Sequence, residues 1–126
     1  MIFKDKKINP KSMAPMQGDV IWVDLDQEDT VGHEQQKKRP VLVISNDDYN
    51  DYCGGLTKIL PITSSSRQNR RKFAFHVRIP DGFEVHGQVM LEQERAIDVT
   101  ARNYDYCCHL PEDTVEEIIK LLKTSY

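Results

Sequence analysis

The chain has 126 residues, 39% of them hydrophobic and 29% charged, with a formal net charge of −3. That length suits one compact domain able to bury a core without metal or disulfide staples, and the composition excludes a fibrous or disordered chain. The slightly acidic balance argues against a protein that coats duplex nucleic acid through bulk electrostatics; no apolar run approaches a membrane span or a secretory core, so a cytoplasmic protein with no membrane partner is expected.

Residues 1–16 carry Lys4, Lys6, Lys7 and Lys11 against Asp5, with Pro10 and Pro15, and read as a flexible basic arm before a single domain over 17–126. From Asp19, "DVIWVDL" alternates and is rich in β-branched and aromatic residues, which predicts a strand with one buried face. A crowded polar loop follows, "GHEQQKKRP", and then "PVLVIS", whose shortness and Val/Ile content favour a buried strand over a helix. "NDDYNDYCGG" starts with helix-capping residues and ends in a glycine pair, predicting one or two helical turns. "LTKILPIT" and "KFAFHVRI" read as strands joined by an exposed loop, "SSSRQNRR". "GQVMLEQERAI" reads as one further strand after a turn at "PDGFEVHG", and "RNYDYCCHL" as a short last one.

The C-terminal "LPEDTVEEIIKLLKTSY" differs in period. Val115, Ile118, Ile119 and Leu122 fall at i, i+3, i+4 and i+7, which gives one apolar helical face. Pro111 suits the first turn, Glu112 and Asp113 the positive end of the dipole, and Lys120 and Lys123 the negative end. About six short strands closed by one amphipathic helix imply a mainly β fold, a small, partly open barrel with the helix packed on it.

Cys53, Cys107 and Cys108 are odd in number, and a disulfide between the adjacent pair would need a strained ring, so free thiols are expected. There is no C-x-x-C pair, and His33, His76, His86 and His109 are scattered, so no metal site or cofactor is expected. The last three histidines read as structural.

Three polar groups carry candidate chemistry. In the crowded loop, His33 and Glu34 can exchange protons or accept hydrogen bonds, while Arg39 offers a planar fork of donors matched to phosphate oxygens. Pro40 fixes the backbone beside Arg39 at the mouth of a buried strand. A solvated turn kept soluble by its charges is the plain alternative. In "PITSSSRQNRRK", Thr63, three serines, Arg67, Arg70, Arg71 and Lys72 suit a grip on a phosphate backbone, or else form an ordinary charged hairpin loop. In "LEQER", strand alternation would turn Glu92 and Glu94 to one side and Gln93 and Arg95 to the other, either as contacts or as charges guarding a strand edge.

Taken in order, "GDVIWVDLD", "GHEQQKKRPVLVISND", "LPITSSS" and "VMLEQERAIDVTAR" resemble the MazF/PemK/Kid family of toxin endoribonucleases. The spacing that carries most of the likeness is Gly32, Glu34, Gln35, then Arg39 and Pro40 before an apolar strand. The resemblance implies an SH3-like, partly open β-barrel with a C-terminal helix. It also implies a homodimer that cuts single-stranded RNA at short sequences without metal, and a cognate antitoxin whose flexible segment occupies the RNA groove. By position, Arg39 matches the family's essential arginine and Thr63 the threonine that helps hold the scissile phosphate. His33 stands where members carry histidine or serine. Glu34 and Gln35 match loop residues near bound RNA, and Glu92 and Gln93 match an acidic-Gln pair that contacts RNA or supplies a general base. Gln36, Lys37 and Lys38 replace the glycine of many relatives, making the loop more basic and leaving the RNA word open.

The chemistry implied is attack of a 2'-hydroxyl on the adjacent phosphorus, leaving a 2',3'-cyclic phosphate and a 5'-hydroxyl. One proton must leave, another must arrive, and charge on the phosphorus must be stabilised. Arg39 and Thr63 suit the last task. With a reference pKa above about 12, arginine is a poor base, so Glu92 or His33 is preferred for proton transfer, His33 as acid, base or phosphate donor alike. Gln35, Gln93 and Arg95 suit base edges, Lys37, Lys38, Ser64 and Arg67 the backbone. A CcdB-like gyrase poison on the same scaffold is the alternative, against which Arg39 in its motif argues.

Overall fold

The computed structural model describes residues 15–25, 38–52, 55–64 and 75–126. Seven strands form the frame: β1 (Asp19–Asp24), β2 (Lys38–Val43), β3 (Leu56–Thr63), β4 (His76–Arg78), β5 (Gln88–Met90), β6 (Arg95–Asp98) and β7 (Asp105–His109). Two helices complete it, α1 (Asp47–Tyr52) and α2 (Glu112–Lys123). Every pairing is antiparallel, in the order β4-β5-β3-β2-β1-β7 with β6 also on β3. The ends of that path, β4 and β7, are not paired with each other, so the sheet stays open. No helix among the described residues is long and apolar enough to cross a membrane.

The sheet is buried on both faces, which corrects the expectation of a single buried face for β1. Val20 belongs to one apolar cluster and Ile21 and Val23 to the other. β2 alternates likewise, with Leu42 in the first cluster and Val41 and Val43 in the second. The first cluster is closed by α2, whose Val115, Ile118 and Leu122 are buried with Ile119 packed beside them. Pro111 precedes the first turn as its cap residue. The second cluster is closed by Ile97 and Val99. Burying each such aliphatic side chain stabilises the fold by ~1.5–3 kcal/mol.

α1 starts where its composition predicts: Asn46 Oδ1 accepts from Tyr49 N at 2.8 Å. Residues 1–14 of the expected arm lie outside the described residues, but Pro15 is buried and its carbonyl accepts from Asn50 Nδ2 at 2.8 Å. Of the predicted strand "KFAFHVRI", His76–Arg78 form β4, and residues 72–74 lie outside the described residues.

"GQVMLEQERAI" is not one strand. Continuing the register from Ile62 opposite Val89 would set Ile59 opposite Glu92, yet Ile59 faces Arg95. Three residues are inserted, and they form a 3₁₀ turn, Leu91–Gln93, anchored by buried Leu91. The turn lets one chain pair with both halves of β3 while changing direction between them. A smaller insertion marks β7. Val20 faces Cys108 and Ile21 faces Tyr106, so Cys107 is the extra residue of a bulge.

Candidate active-site groove

The outer half of β2 supplies the first wall of a groove. Lys38, Arg39 and Pro40 stand opposite Asp24, Val23 and Trp22 of β1, and Arg39 is exposed. The cations are not equivalent. Lys38 Nζ donates to Asp105 Oδ2 at 2.8 Å, whereas Arg39 has no carboxylate partner among the described residues. Of these two neighbouring cations, Arg39 is therefore the one available to a ligand.

The end of β3 supplies the second wall. Thr63, its last residue, faces Gln88 of β5 and is followed by exposed Ser64. Gly87 makes that approach possible. At φ +122° it has a backbone that L side chains rarely adopt, and a Cβ there would meet the Thr63 carbonyl oxygen at 2.0 Å. Gly87 O also accepts from Ile79 N at 2.9 Å, closing the 79–87 turn beside the groove.

Between the walls lies a cavity of about 690 Å³. Six residues expected to bind or react line it: Lys38, Arg39, Thr63, Ser64, Gln93 and Arg95. Gln93 and Arg95 do face one side together, but they do so across the end of the 3₁₀ turn rather than by alternation along a strand. Glu92 is not among the lining residues; its Oε2 lies 3.0 Å from His76 Nε2, while His76 Nδ1 lies 3.1 Å from Gln88 Oε1. Glu94 accepts a hydrogen bond from the Tyr126 hydroxyl, which holds that phenol above its ordinary pKa. His33, Glu34, Gln35, Lys37 and Arg67 lie outside the described residues.

Several lining residues carry no local signal. Trp22 and Leu25 come from β1 and its exit, Met90 from the end of β5, and Glu84 and His86 from the 79–87 turn. His86, expected to be structural, is exposed on the groove. Its neighbours in sequence are an ordinary turn, and only the tertiary fold brings them to Arg39. The other two histidines among the described residues are engaged, His76 as above and His109 through Nδ1 to Asp19 Oδ1 at 2.8 Å. The groove thus pairs an unmatched guanidinium and a strand-end hydroxyl with an indole, an imidazole, an amide and a second guanidinium. This set suits an extended polyanion with stackable bases better than a small apolar ligand.

Comparison with known proteins agrees with that character. The profile of the family described as "PemK-like, MazF-like toxin of type II toxin-antitoxin system" matches residues 16–126. The chain is 35% identical over 116 residues to endoribonuclease EndoA of Bacillus subtilis, covering 90% of this chain and 95% of that one. It is 33% identical over 108 residues to endoribonuclease PemK of Escherichia coli, covering 85% and 78%. Among solved structures, MazF of Deinococcus radiodurans superposes with a TM-score of 0.71 at 28% identity, covering 89% of this chain and 96% of that one. A MazE-MazF structure from the same organism gives 0.71 at 25% identity, covering 89% and 94%. The chain therefore belongs to the family of PemK-like, MazF-like toxins of type II toxin-antitoxin systems.

Proposed function

We propose that the chain is an endoribonuclease toxin that cuts single-stranded RNA in this groove, and that it acts in the cytoplasm, where messenger RNA is found. The observation that carries the reading is the meeting of Arg39 and Thr63 in one cavity. The nucleophile is the RNA's own 2'-hydroxyl, so the reaction needs no activated water. It leaves a 2',3'-cyclic phosphate and a 5'-hydroxyl. Arg39 and the Thr63 and Ser64 hydroxyls face the phosphate and stabilise the charge that builds on its oxygens.

Proton transfer falls to groups near that phosphate. His33 is the candidate from the loop, and exposed His86 is the candidate on the groove wall. Glu92 is the less available group, because its carboxylate is held by His76 and does not line the groove. Gln93 and Arg95 offer hydrogen bonds to base edges and Trp22 offers a stacking face, so these three set the preferred RNA word together with Glu34 and Gln35. Lys37, Lys38 and Arg67 contribute backbone charge. Relatives solved as MazE-MazF support a cognate antitoxin as partner. By the family resemblance, this antitoxin competes with RNA for the groove and the working unit is a homodimer.

The test is to incubate the purified chain with a long single-stranded RNA in excess EDTA, beside Arg39→Ala. The parent is expected to cut and the variant to leave the RNA intact, with 5'-hydroxyl ends on the products. Uncut RNA with folded parent protein, or 5'-phosphate ends, overturns the reading.

A further inference from the structure

The second site we infer lies outside the reaction. In a regular strand, adjacent side chains point to opposite faces. Cys107 is the extra residue of the β7 bulge, and the bulge re-aims it. As a result the two sulfurs lie together, with Cys107 Sγ 3.5 Å from Cys108 Sγ. A carboxylate oxygen of Glu84, distant in sequence and brought in by the 79–87 turn, completes a group whose ligand atoms all lie within 4.8 Å of one another.

We propose that Cys107, Cys108 and Glu84 bind a thiophilic divalent cation of the zinc class. Two thiolates sharing a tetrahedral zinc at about 2.3 Å stand about 3.8 Å apart, close to the spacing found here. The sulfurs select against calcium and magnesium, which take oxygen donors. Adjacent cysteines reach a disulfide only through a strained ring, so the pair stays available as a dithiol. The burial gradient also fits: Cys108 is buried, Cys107 half-buried and Glu84 exposed, which leaves one side open to water as a fourth ligand. The usual metal spacing, C-x-x-C, is absent, and the bulge supplies the convergence that spacing ordinarily provides. Glu84, Val85 and His86 line the groove, so the bound cation would fasten that wall to β7.

The experiment titrates the reduced, chelator-stripped full chain with Co²⁺ and then competes with Zn²⁺. One equivalent of Co²⁺ should develop thiolate-to-cobalt charge-transfer absorption, and one equivalent of Zn²⁺ should bleach it. Cys107→Ser and Cys108→Ala should abolish the band. Glu84→Gln should weaken binding by at least the tenfold or so that losing even an outer-shell partner costs. Cys53→Ser should leave the band unchanged, and Arg39→Ala should lose RNA cleavage while keeping it. Circular dichroism checks that each variant is folded, and if buried Cys108→Ala is not, half-buried Cys107→Ser decides alone. No band in the parent, a band that survives Cys107→Ser, or one that disappears with Cys53→Ser overturns the proposal.

Discussion

β2 is one strand with two halves that obey different rules. Its inner half, Val41–Val43, is fully buried and divides its side chains between the two apolar clusters. Its outer half, Lys38–Pro40, keeps the same pairing with β1 but holds Arg39 exposed over the groove. The backbone ladder is continuous, so the packed half fixes the position of the exposed half. An exposed side chain with no carboxylate partner is still accurately placed when its strand is anchored two residues away.

Four substitutions test this division. Leu42→Ala removes a fully buried side chain and should cost about 2–5 kcal/mol in urea unfolding, while RNA cleavage survives in whatever fraction is folded. A fully stable variant would mean that the inner half does not anchor the strand. Arg39→Ala should lower the cleavage rate by about 10²–10³-fold, the size typical of losing one charge-stabilising donor. Its unfolding midpoint should shift by less than the ~0.5 kcal/mol usual for surface changes. If Arg39→Ala unfolds the protein instead, the two halves are not separable. Gly87→Ala should destabilise by about 1–3 kcal/mol through backbone strain. It should also slow cleavage beyond that loss, because a methyl group cannot sit 2.0 Å from the Thr63 carbonyl oxygen. Lys38→Ala sharpens the contrast within the outer half. Its partly exposed pair with Asp105 is worth about 0–1 kcal/mol, and with its ammonium already matched it should change RNA cleavage far less than Arg39→Ala.

The sequence reveals an element when its signal is local. α2 repeats at the helical period over three turns, and β2 and β3 are short Val/Ile/Leu runs bounded by turn residues, so each is recognisable alone. The break at Leu91–Gln93 is not, because those residues fit a strand as well as a turn and the decision rests on the register that β3 imposes from both of its halves. The second buried face of β1 escapes for a similar reason, since Trp22 and Asp24 make the Val20 side look like the solvent-facing one until the cluster closed by α2 covers Val20. At the groove, Arg39 stands out by its spacing from Gly32 and Glu34, and Thr63 only by the family resemblance of its strand end. Trp22, Glu84 and His86 do not, since nothing in their own segments predicts that the 79–87 turn folds across to the groove that β1 and β2 border. The Cys107 bulge is equally silent, being a one-residue mismatch between strands nearly a whole domain apart.

That last distance bears on how the chain reaches its native state. β1, the first strand, is completed by β7, the last, and His109 bonds Asp19 across 90 residues. Arg102 Nη1 likewise donates to the Asp24 carbonyl at 2.7 Å across 78 residues. Loop closure of this length is entropically costly before any contact rewards it, which places such topologies among the slower folders. On the ribosome, β1 must wait for β7, some 90 residues further along, to emerge before its second neighbour exists. Synthesis of β1 and completion of its pairing are therefore separated in time.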